Sequence, residues 1–306
     1  MELSPVSGDT SQRLAAAGLD PARIADIIGA TVAEDLDGGV DITSVSTVPA
    51  SQRSIVTFGA RADGCLSGLD IACAVVEMVC GAGNVVIERL AADGDRLSKG
   101  DVIARVTAPT QRMLTAERTA LNLMCHLSGI ATATSRWVDA VAGTGAVIRD
   151  TRKTTPMLRA LEKYAVRCGG GQNHRMSLSD AALVKDNHIA AAGGVREAFG
   201  LIRAAAAGLP IEIEVDTLEQ LRTAMDAGAD VVLLDNMPPA VMREAVAAAA
   251  AHRQSTGHDV LLEASGGLTL DNARAVAETG VHFISVGGLT HSSPILDIGL
   301  DFETLA

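Results

Sequence analysis

Residues 211–236 read IEIEVDTLEQLRTAMDAGADVVLLDN, and the fold turns on them. A strand-like run, Ile211 to Val215, is followed by a helical stretch at about 217–227 and a second run, Val231 to Leu234. Strand, helix and strand in succession require a parallel sheet with a right-handed crossover. The same rhythm extends in both directions. Upstream lie Val147-Ile148 and Ala181 to Val184, and downstream Val260 to Leu262 and Phe283 to Val286. Helical stretches are expected near 155–167, 194–207, 238–251 and 270–279. Repeats of roughly 20 to 30 residues suit a βα barrel. Six runs do not make a complete eight-stranded one.

Before Gly145 the pattern differs. Residues 1 to about 20 are rich in Ser, Gly, Asp and Ala and are expected to fray. Asp20-Pro21 marks a helix start, and Ile24, Ile27, Ile28 and Val32 recur at helical spacing. Residues 35–41 (DLDGGVD) read as a solvated loop; they lack the alternating ligands and closing Glu of a calcium loop. Strand-like runs at Ile55 to Phe58, Gly64 to Leu69, Val85 to Leu90 and Val102 to Val106 surround a helix at Leu69 to Val79. The piece DGDRLSKGDVIARV resembles the hairpin of lipoyl and biotinyl carrier domains. Its Lys99 precedes the Gly-Asp turn instead of occupying the tip, so the piece reads as β-scaffold. Thr115 to Thr134 forms a helix, and a second one is expected over Ser135 to Val141.

The composition narrows the function. The chain has 306 residues, 48% of them hydrophobic, enough for a large core, and only 2% aromatic, which argues against a site of stacked rings. A net charge of −12 argues against nucleic-acid or anionic-membrane partners, so any anion must be met locally. Five cysteines without zinc or CxxC spacing fit a reducing cytoplasm, and Cys65, Cys73 and Cys80 lie in apolar surroundings as inert thiols. No signal peptide or membrane segment is expected.

Against that acidic background, residues 147–188 are strongly basic, with Arg149, Arg152, Lys153, His174, Arg175, Lys185 and His188. In βα barrels the chemistry lies at the carboxyl ends of the strands. Taken in order, those ends are Arg149-Asp150-Thr151-Arg152-Lys153, Lys185-Asp186-Asn187-His188, Glu214 with Asp216, Asp235-Asn236, Glu263 with Ser265-Gly266-Gly267, and Gly287-Gly288. The first two are cationic, the middle two acidic and the last two glycine-rich. Backbone N–H groups of glycine loops cradle phosphate. Carboxylates such as Glu214 and Asp235 suit a Mg²⁺ carried in with a diphosphate, directly or through water. The inferred ligands are a metal-bound phosphorylated compound and a second anion. Structural roles compete: Glu214 could pair with Lys185, and Asp235 could cap the following helix.

The segments RDTRKT, YAVRCGGGQNHR, LVKDNH, EIEVD, LLDN, EASGG, VGGLTHS and ERTALNLMCHLSGIAT, in order from roughly Asp20 to Asp301, resemble the quinolinate phosphoribosyltransferase (decarboxylating) family. The resemblance implies an α/β fold: an N-terminal α/β sandwich-like domain, residues 20–128, and an incomplete βα barrel of about seven strands, residues 129–290, with the tail 291–306 packing back on the first domain. It implies a homodimer at least, in which Arg118 reaches the neighbouring active site. It places quinolinate on Arg118, Arg152, His174, Arg175 and Lys185. It places phosphoribosyl pyrophosphate and Mg²⁺ on Lys153, Glu214, Asp235, Ser265, Gly266, Gly267, Gly287 and Gly288. Lys153, Lys185, Glu214 and Asp235 are the expected catalytic groups. Gly288 departs from the family, which commonly has Ala there.

The expected chemistry follows from the substrates. Two adjacent carboxylates on a pyridine need several cations, and Arg meets each in a two-pronged geometry. The ring nitrogen attacks the anomeric carbon, pyrophosphate leaves, and the resulting pyridinium draws out the 2-carboxylate as CO₂. Lys185 is a candidate proton donor to the carbanion left behind. The nearest rival is a phosphoribosyltransferase acting on nicotinate, whose single carboxylate needs fewer cations. A phosphosugar lyase or isomerase would not need the RDTRK and NHR cluster, and a carrier module would leave the acidic strand ends unexplained.

Overall fold

The computed structural model describes residues 2–206 and 208–304, and these form two compact units. The first holds the residues through Ala133, Ala160–Gly170 and those from Ser293 on; the second holds Thr134–Arg159 and Gly171–Ser292. Residues 160–170, read from the sequence as barrel, thus group with the first unit. Twelve strands are described: β1 (Arg53–Ala60), β2 (Gly64–Cys65), β3 (Val86–Arg89), β4 (Arg96–Leu97), β5 (Val102–Pro109), β6 (Val147–Arg149), β7 (Ala182–Val184), β8 (Ile211–Val215), β9 (Val231–Asp235), β10 (Leu261–Ser265), β11 (Phe283–Ser285) and β12 (Ile298–Thr304). No helix among the described residues is long and apolar enough to cross a membrane.

In the first unit an antiparallel sheet runs β12-β1-β5-β3. Ser54, Val56, Phe58 and Ala60 alternate inward along β1, as the pleat dictates. The helix Leu69–Cys80 is buried at every residue except Asp70, which explains its nearly unbroken apolar sequence. Its amino end is held by Asp93, whose carboxylate accepts from the N–H groups of Gly68 (2.9 Å) and Leu69 (3.0 Å) and from the Tyr164 hydroxyl (2.7 Å). Lys99 sits in an ordinary turn, with its N–H donated to Asp63.

Two expectations are corrected here. Residues 2–19 are not frayed: Gly8–Ala16 is a helix capped by Ser7. The buried Glu77 carboxylate accepts from Ser7 N, Ser7 Oγ and Thr10 Oγ1, a long-range anchor that local composition does not reveal. The helices expected at 115–134 and 135–141 are one helix, Thr110–Ala140. Nothing at Thr134-Ser135 removes a donor or forces a turn, so propagation continues. The glycine inside it, Gly129, is required by contact: a Cβ there would lie 2.1 Å from the Pro294 carbonyl oxygen.

The second unit is one parallel sheet, order β6-β11-β10-β9-β8-β7. Gln172 adds a single parallel bridge to Arg149 on the outer side of β6, where a further strand would stand. Ile148, Ile213, Val232, Leu262 and Ile284 are buried in consecutive strands. The helices start at definite signals. Thr217 and Thr269 cap Leu218–Asp226 and Leu270–Ala277. The helix expected from residue 155 starts at Arg159 instead, because Pro156 disfavours helical backbone before it and Met157 has φ +69°.

Candidate active site

Glu214, Asp235 and Ser265 stand at the carboxyl ends of their strands, whereas Glu212 lies near the amino end of β8 and His174 and Arg175 on the loop before β7. In β8 the order Ile-Glu-Ile-Glu-Val puts Ile213 and Val215 on one face and Glu212 and Glu214 on the other. Glu214 accepts from Lys185 Nζ at 2.6 Å, with the lysine half exposed and the carboxylate largely buried. Lys185 also begins the helix Asp186–Ala192, and His188 serves that start by accepting the Lys185 N–H through Nδ1. Asp186, Glu214, Asp216 and Asp235 line a cavity of about 260 Å³ together with Gln220. The amide of Asn236 donates to Asp235 at 2.8 Å. Four carboxylates around a small cavity are hard oxygen donors of the type magnesium prefers.

The cationic side is built on Asp150, which is fully buried. Its carboxylate accepts from His174 N (2.9 Å) and Asn173 Nδ2 (2.5 Å), fixing the loop that carries His174 and Arg175. Arg175 donates through Nη1 to the Ala181 carbonyl. Burial and the nearby Arg152 guanidinium both push Arg175 below the usual arginine range. Arg152 keeps a buried Nε with no hydrogen-bond partner. Two guanidinium groups near enough to feel each other's charge are an arrangement a dicarboxylate would relieve. His174 donates through Nε2 to Glu212 (2.8 Å), and Glu263 lies 3.6 Å from the same nitrogen. Burial pulls the imidazole pKa down, but the Glu212 and Glu263 carboxylates outweigh it and raise it. Arg149, His174, Arg175 and Glu212 share a cavity of about 390 Å³.

The glycine turns have distinct constraints. Gly266 has φ +85° and Gly267 φ +62°, the left-handed region. A Cβ on Gly266 would fall 2.3 Å from Asn236 Oδ1. Ser265 accepts the Asn236 N–H through its carbonyl, tying this turn to the end of β9. A Cβ on Gly287 would lie 3.1 Å from Lys153 Cδ, so the Lys153 stem runs across this turn, and Thr290 Oγ1 donates to the Lys153 carbonyl at 2.7 Å. At Gly288 a Cβ would meet nothing within 4 Å. The departure from Ala therefore carries no steric requirement.

Of the residues singled out in the sequence, Arg152, Lys153, His174, Arg175, Lys185, Glu214, Asp235, Ser265, Gly266, Gly267, Gly287 and Gly288 all belong to the second unit. Arg118 stands in the first, on the long helix, 70% exposed, with Glu117 at 3.5 Å. Glu212 was missed, although the alternation of β8 places it on the same face as Glu214. Arg149 was noted as part of the basic cluster and as a strand end, and Glu263 only as a strand end. They form a buried ion pair at 2.8 Å, with Arg149 stacked 3.3 Å over the Phe283 ring.

An open βα barrel with guanidinium groups, carboxylates and glycine turns at its strand ends defines an α/β enzyme for small polyanionic ligands. Residues 41–128 match the N-terminal domain and residues 130–301 the C-terminal domain of quinolinate phosphoribosyl transferase, and the chain belongs to that family. It is 50% identical over 276 residues to the nicotinate-nucleotide pyrophosphorylase [carboxylating] of Mycobacterium leprae, covering 90% of this chain and 96% of that protein. The structure is similar to that of NadC from Streptococcus pyogenes, with a TM-score of 0.87, 36% identity, and coverage of 94% and 99% of the two chains. Human nicotinic acid phosphoribosyltransferase is similar in fold alone, with a TM-score of 0.61 and 15% identity over 87% of this chain and 72% of that one.

Proposed function

We propose that the chain transfers phosphoribose from phosphoribosyl pyrophosphate to the ring nitrogen of quinolinate, releasing pyrophosphate and CO₂ and giving nicotinate mononucleotide for pyridine nucleotide synthesis. The observation that carries the residue assignment is the buried, unpartnered Arg152 Nε, with the Arg152 charge felt at Arg175 on the loop that Asp150 fixes. Arg152, Arg175 and Lys185 receive the two carboxylates, with His174 in support. A single carboxylate would leave one of these cations unmatched, which disfavours nicotinate.

Lys153, the Ser265-Gly266-Gly267 turn and Gly287-Gly288 receive the phosphates. Glu214 and Asp235 orient the ribose hydroxyls and stabilise positive charge at the anomeric carbon. The acidic cavity fits Mg²⁺ by its donor set, with Glu214 and Asp235 as ligands directly or through water. When bound with the diphosphate, the ion offsets charge on the leaving group. Lys153 adds a second positive charge there. The pyridinium then draws the electron pair of the 2-carboxylate into the ring as CO₂ departs, and a proton replaces it, with Lys185 the candidate donor. The protein's contribution is position and electrostatics.

Arg118 completes the quinolinate site of a partner subunit in a homodimer, a reading supported by its exposure on the long helix. The five free cysteines support a cytoplasmic setting. The test of the reaction is a paired assay with phosphoribosyl pyrophosphate, Mg²⁺ and either quinolinate or nicotinate, following nucleotide and CO₂. Product from quinolinate alone is expected; product from nicotinate alone overturns the reading. Mixing inactive R118A and K153A proteins tests the shared site: activity returns if Arg118 acts across subunits, and stays absent if it acts within its own.

A further inference from the structure

We propose that Glu212, backed by Glu263 and Arg149, is the positioning residue that sets His174 and Arg175 for the substrate carboxylates, acting through the imidazole ring. This rests on the quinolinate reading above. Both ring nitrogens of His174 are engaged within the protein. Nδ1 accepts the Arg175 backbone N–H at 2.7 Å, and Nε2 donates to Glu212 Oε2 at 2.8 Å. Nδ1 can accept only when it carries no proton, so this arrangement holds the Nε2–H tautomer. Glu212 selects that tautomer. The tautomer in turn gives the Arg175 N–H its acceptor, and the Arg175 guanidinium is fixed at its other end by the Ala181 carbonyl at 3.0 Å.

The surroundings argue that this is not incidental packing. The Glu263 side chain is 0% exposed and that of Glu212 10%. Each keeps one Oε1 buried with no hydrogen-bond partner. Against these two carboxylates stand the Arg149 guanidinium, the His174 ring and, near Glu212, the Arg175 guanidinium. Two buried acids in such a cluster destabilise a fold relative to apolar residues of the same size. A barrel interior under packing constraints alone would hold Leu or Met at these positions. His174, Glu212 and Glu263 could also be taken for a divalent-metal ligand set. Arg149 already supplies the cation on Glu263, however, and the Nε2 proton of His174 fills the approach to Glu212. Glu212 instead holds the His174-Arg175 dipeptide through the ring and opposes the effect of the Arg152 charge at Arg175 before the substrate arrives.

The test compares E212M and E212Q. Methionine matches the length of Glu but accepts no hydrogen bond. Glutamine keeps an acceptor for Nε2–H. E212M is expected to raise the KM for quinolinate about tenfold, the loss of one buried hydrogen bond, with the KM for phosphoribosyl pyrophosphate moved less than about twofold. E212Q is expected to restore most of the loss. A second readout needs no substrate and no stable E212M: ring-nitrogen NMR of ¹⁵N-histidine-labelled wild-type protein, assigned with H174Q, should show Nε2 protonated and Nδ1 bare. An Nδ1–H tautomer, or a ring protonated on both nitrogens at the pH of the kinetic assay, overturns the proposal. So does an E212M whose two KM values rise together, or an E212Q no better than E212M. Failure of the quinolinate reading itself appears separately, as wild-type protein inactive on quinolinate while the tautomer is as expected.

Discussion

Replacing Gly266 by alanine perturbs the Ser265-Gly266-Gly267 turn, the proposed phosphate site, at a single position. The backbone there has φ +85°, where an L-residue loses about 1–2 kcal/mol. The new Cβ would sit 2.3 Å from Asn236 Oδ1 and 2.6 Å from its Cγ, so the amide has to leave. Leaving breaks its 2.8 Å bond to Asp235, worth about 0.5–1.5 kcal/mol. The sum is about 2–3 kcal/mol. Expressed as lost affinity for phosphoribosyl pyrophosphate, that is about 30- to 150-fold; expressed as stability, it lowers the melting temperature by several degrees. G288A is the matched control, since a Cβ at Gly288 meets nothing. Steady-state kinetics in both substrates and melting curves would be measured for G266A, G288A and the double variant G266A/N236A. The double variant keeps the φ strain and lacks the Asn236–Asp235 bond as well, so it is expected to melt close to G266A. If G266A matches G288A in melting and in the KM for phosphoribosyl pyrophosphate, the steric reasoning is wrong.

Four further outcomes are expected. K185M should weaken quinolinate binding yet change stability by less than about 1 kcal/mol, because its pair with Glu214 is half exposed; a large drop in melting temperature would make the pair structural. Burial raises the thiols of Cys65 to about 11 and of Cys73 and Cys80 to about 12. A thiol reagent at pH 8 should therefore leave these three unmodified until the protein is denatured, as peptide mapping would reveal. Y164F removes the hydroxyl that donates to the half-buried Asp93 and should destabilise the protein by about 1–2 kcal/mol with unchanged kinetic constants. Hydrogen bonds from the Ser44 side chain and N–H hold Asp41 below the ordinary carboxylate range, so its contribution is complete above that range and fades as the pH falls through the depressed value. The melting gap between wild type and D41A, about 1 kcal/mol in origin at pH 6, should narrow toward pH 3; a constant gap would rule this out.

The sequence carried the α/β fold and the family because its signals were local. A run such as Val231 to Leu234 followed by Asp235-Asn236 announces both a buried strand and a polar strand end. What it hid was long-range. No local feature of residues 1–20 foretells that Glu77 will gather Ser7 and Thr10. Gly129 looks like a helix defect until the Pro294 carbonyl is found against it. Glu212 was legible in principle, since period-two alternation puts it on the face of Glu214, but its role depends on His174, 38 positions earlier. Lys185 and Glu214 show the two readings of one residue meeting: the ion pair that a structural account foresaw is present, between two groups assigned to the chemistry.

The order of strands in the first sheet has a consequence for how the molecule is made. β1 lies between β5 and β12, and its register with β12 runs from Ser54–Thr304 to Ala60–Ile298. During synthesis β5 follows β1 closely, but β12 emerges roughly 240 residues later, about 10–50 s at ribosomal speed. For that interval the outer edge of β1 presents unsatisfied N–H and C=O groups, a template for the wrong strand. The barrel strands, all encoded between, can pair in the meantime. A ribosome that stops after Ser292 would release a chain with its barrel strands complete and β1 still open, prone to pair with another copy of itself.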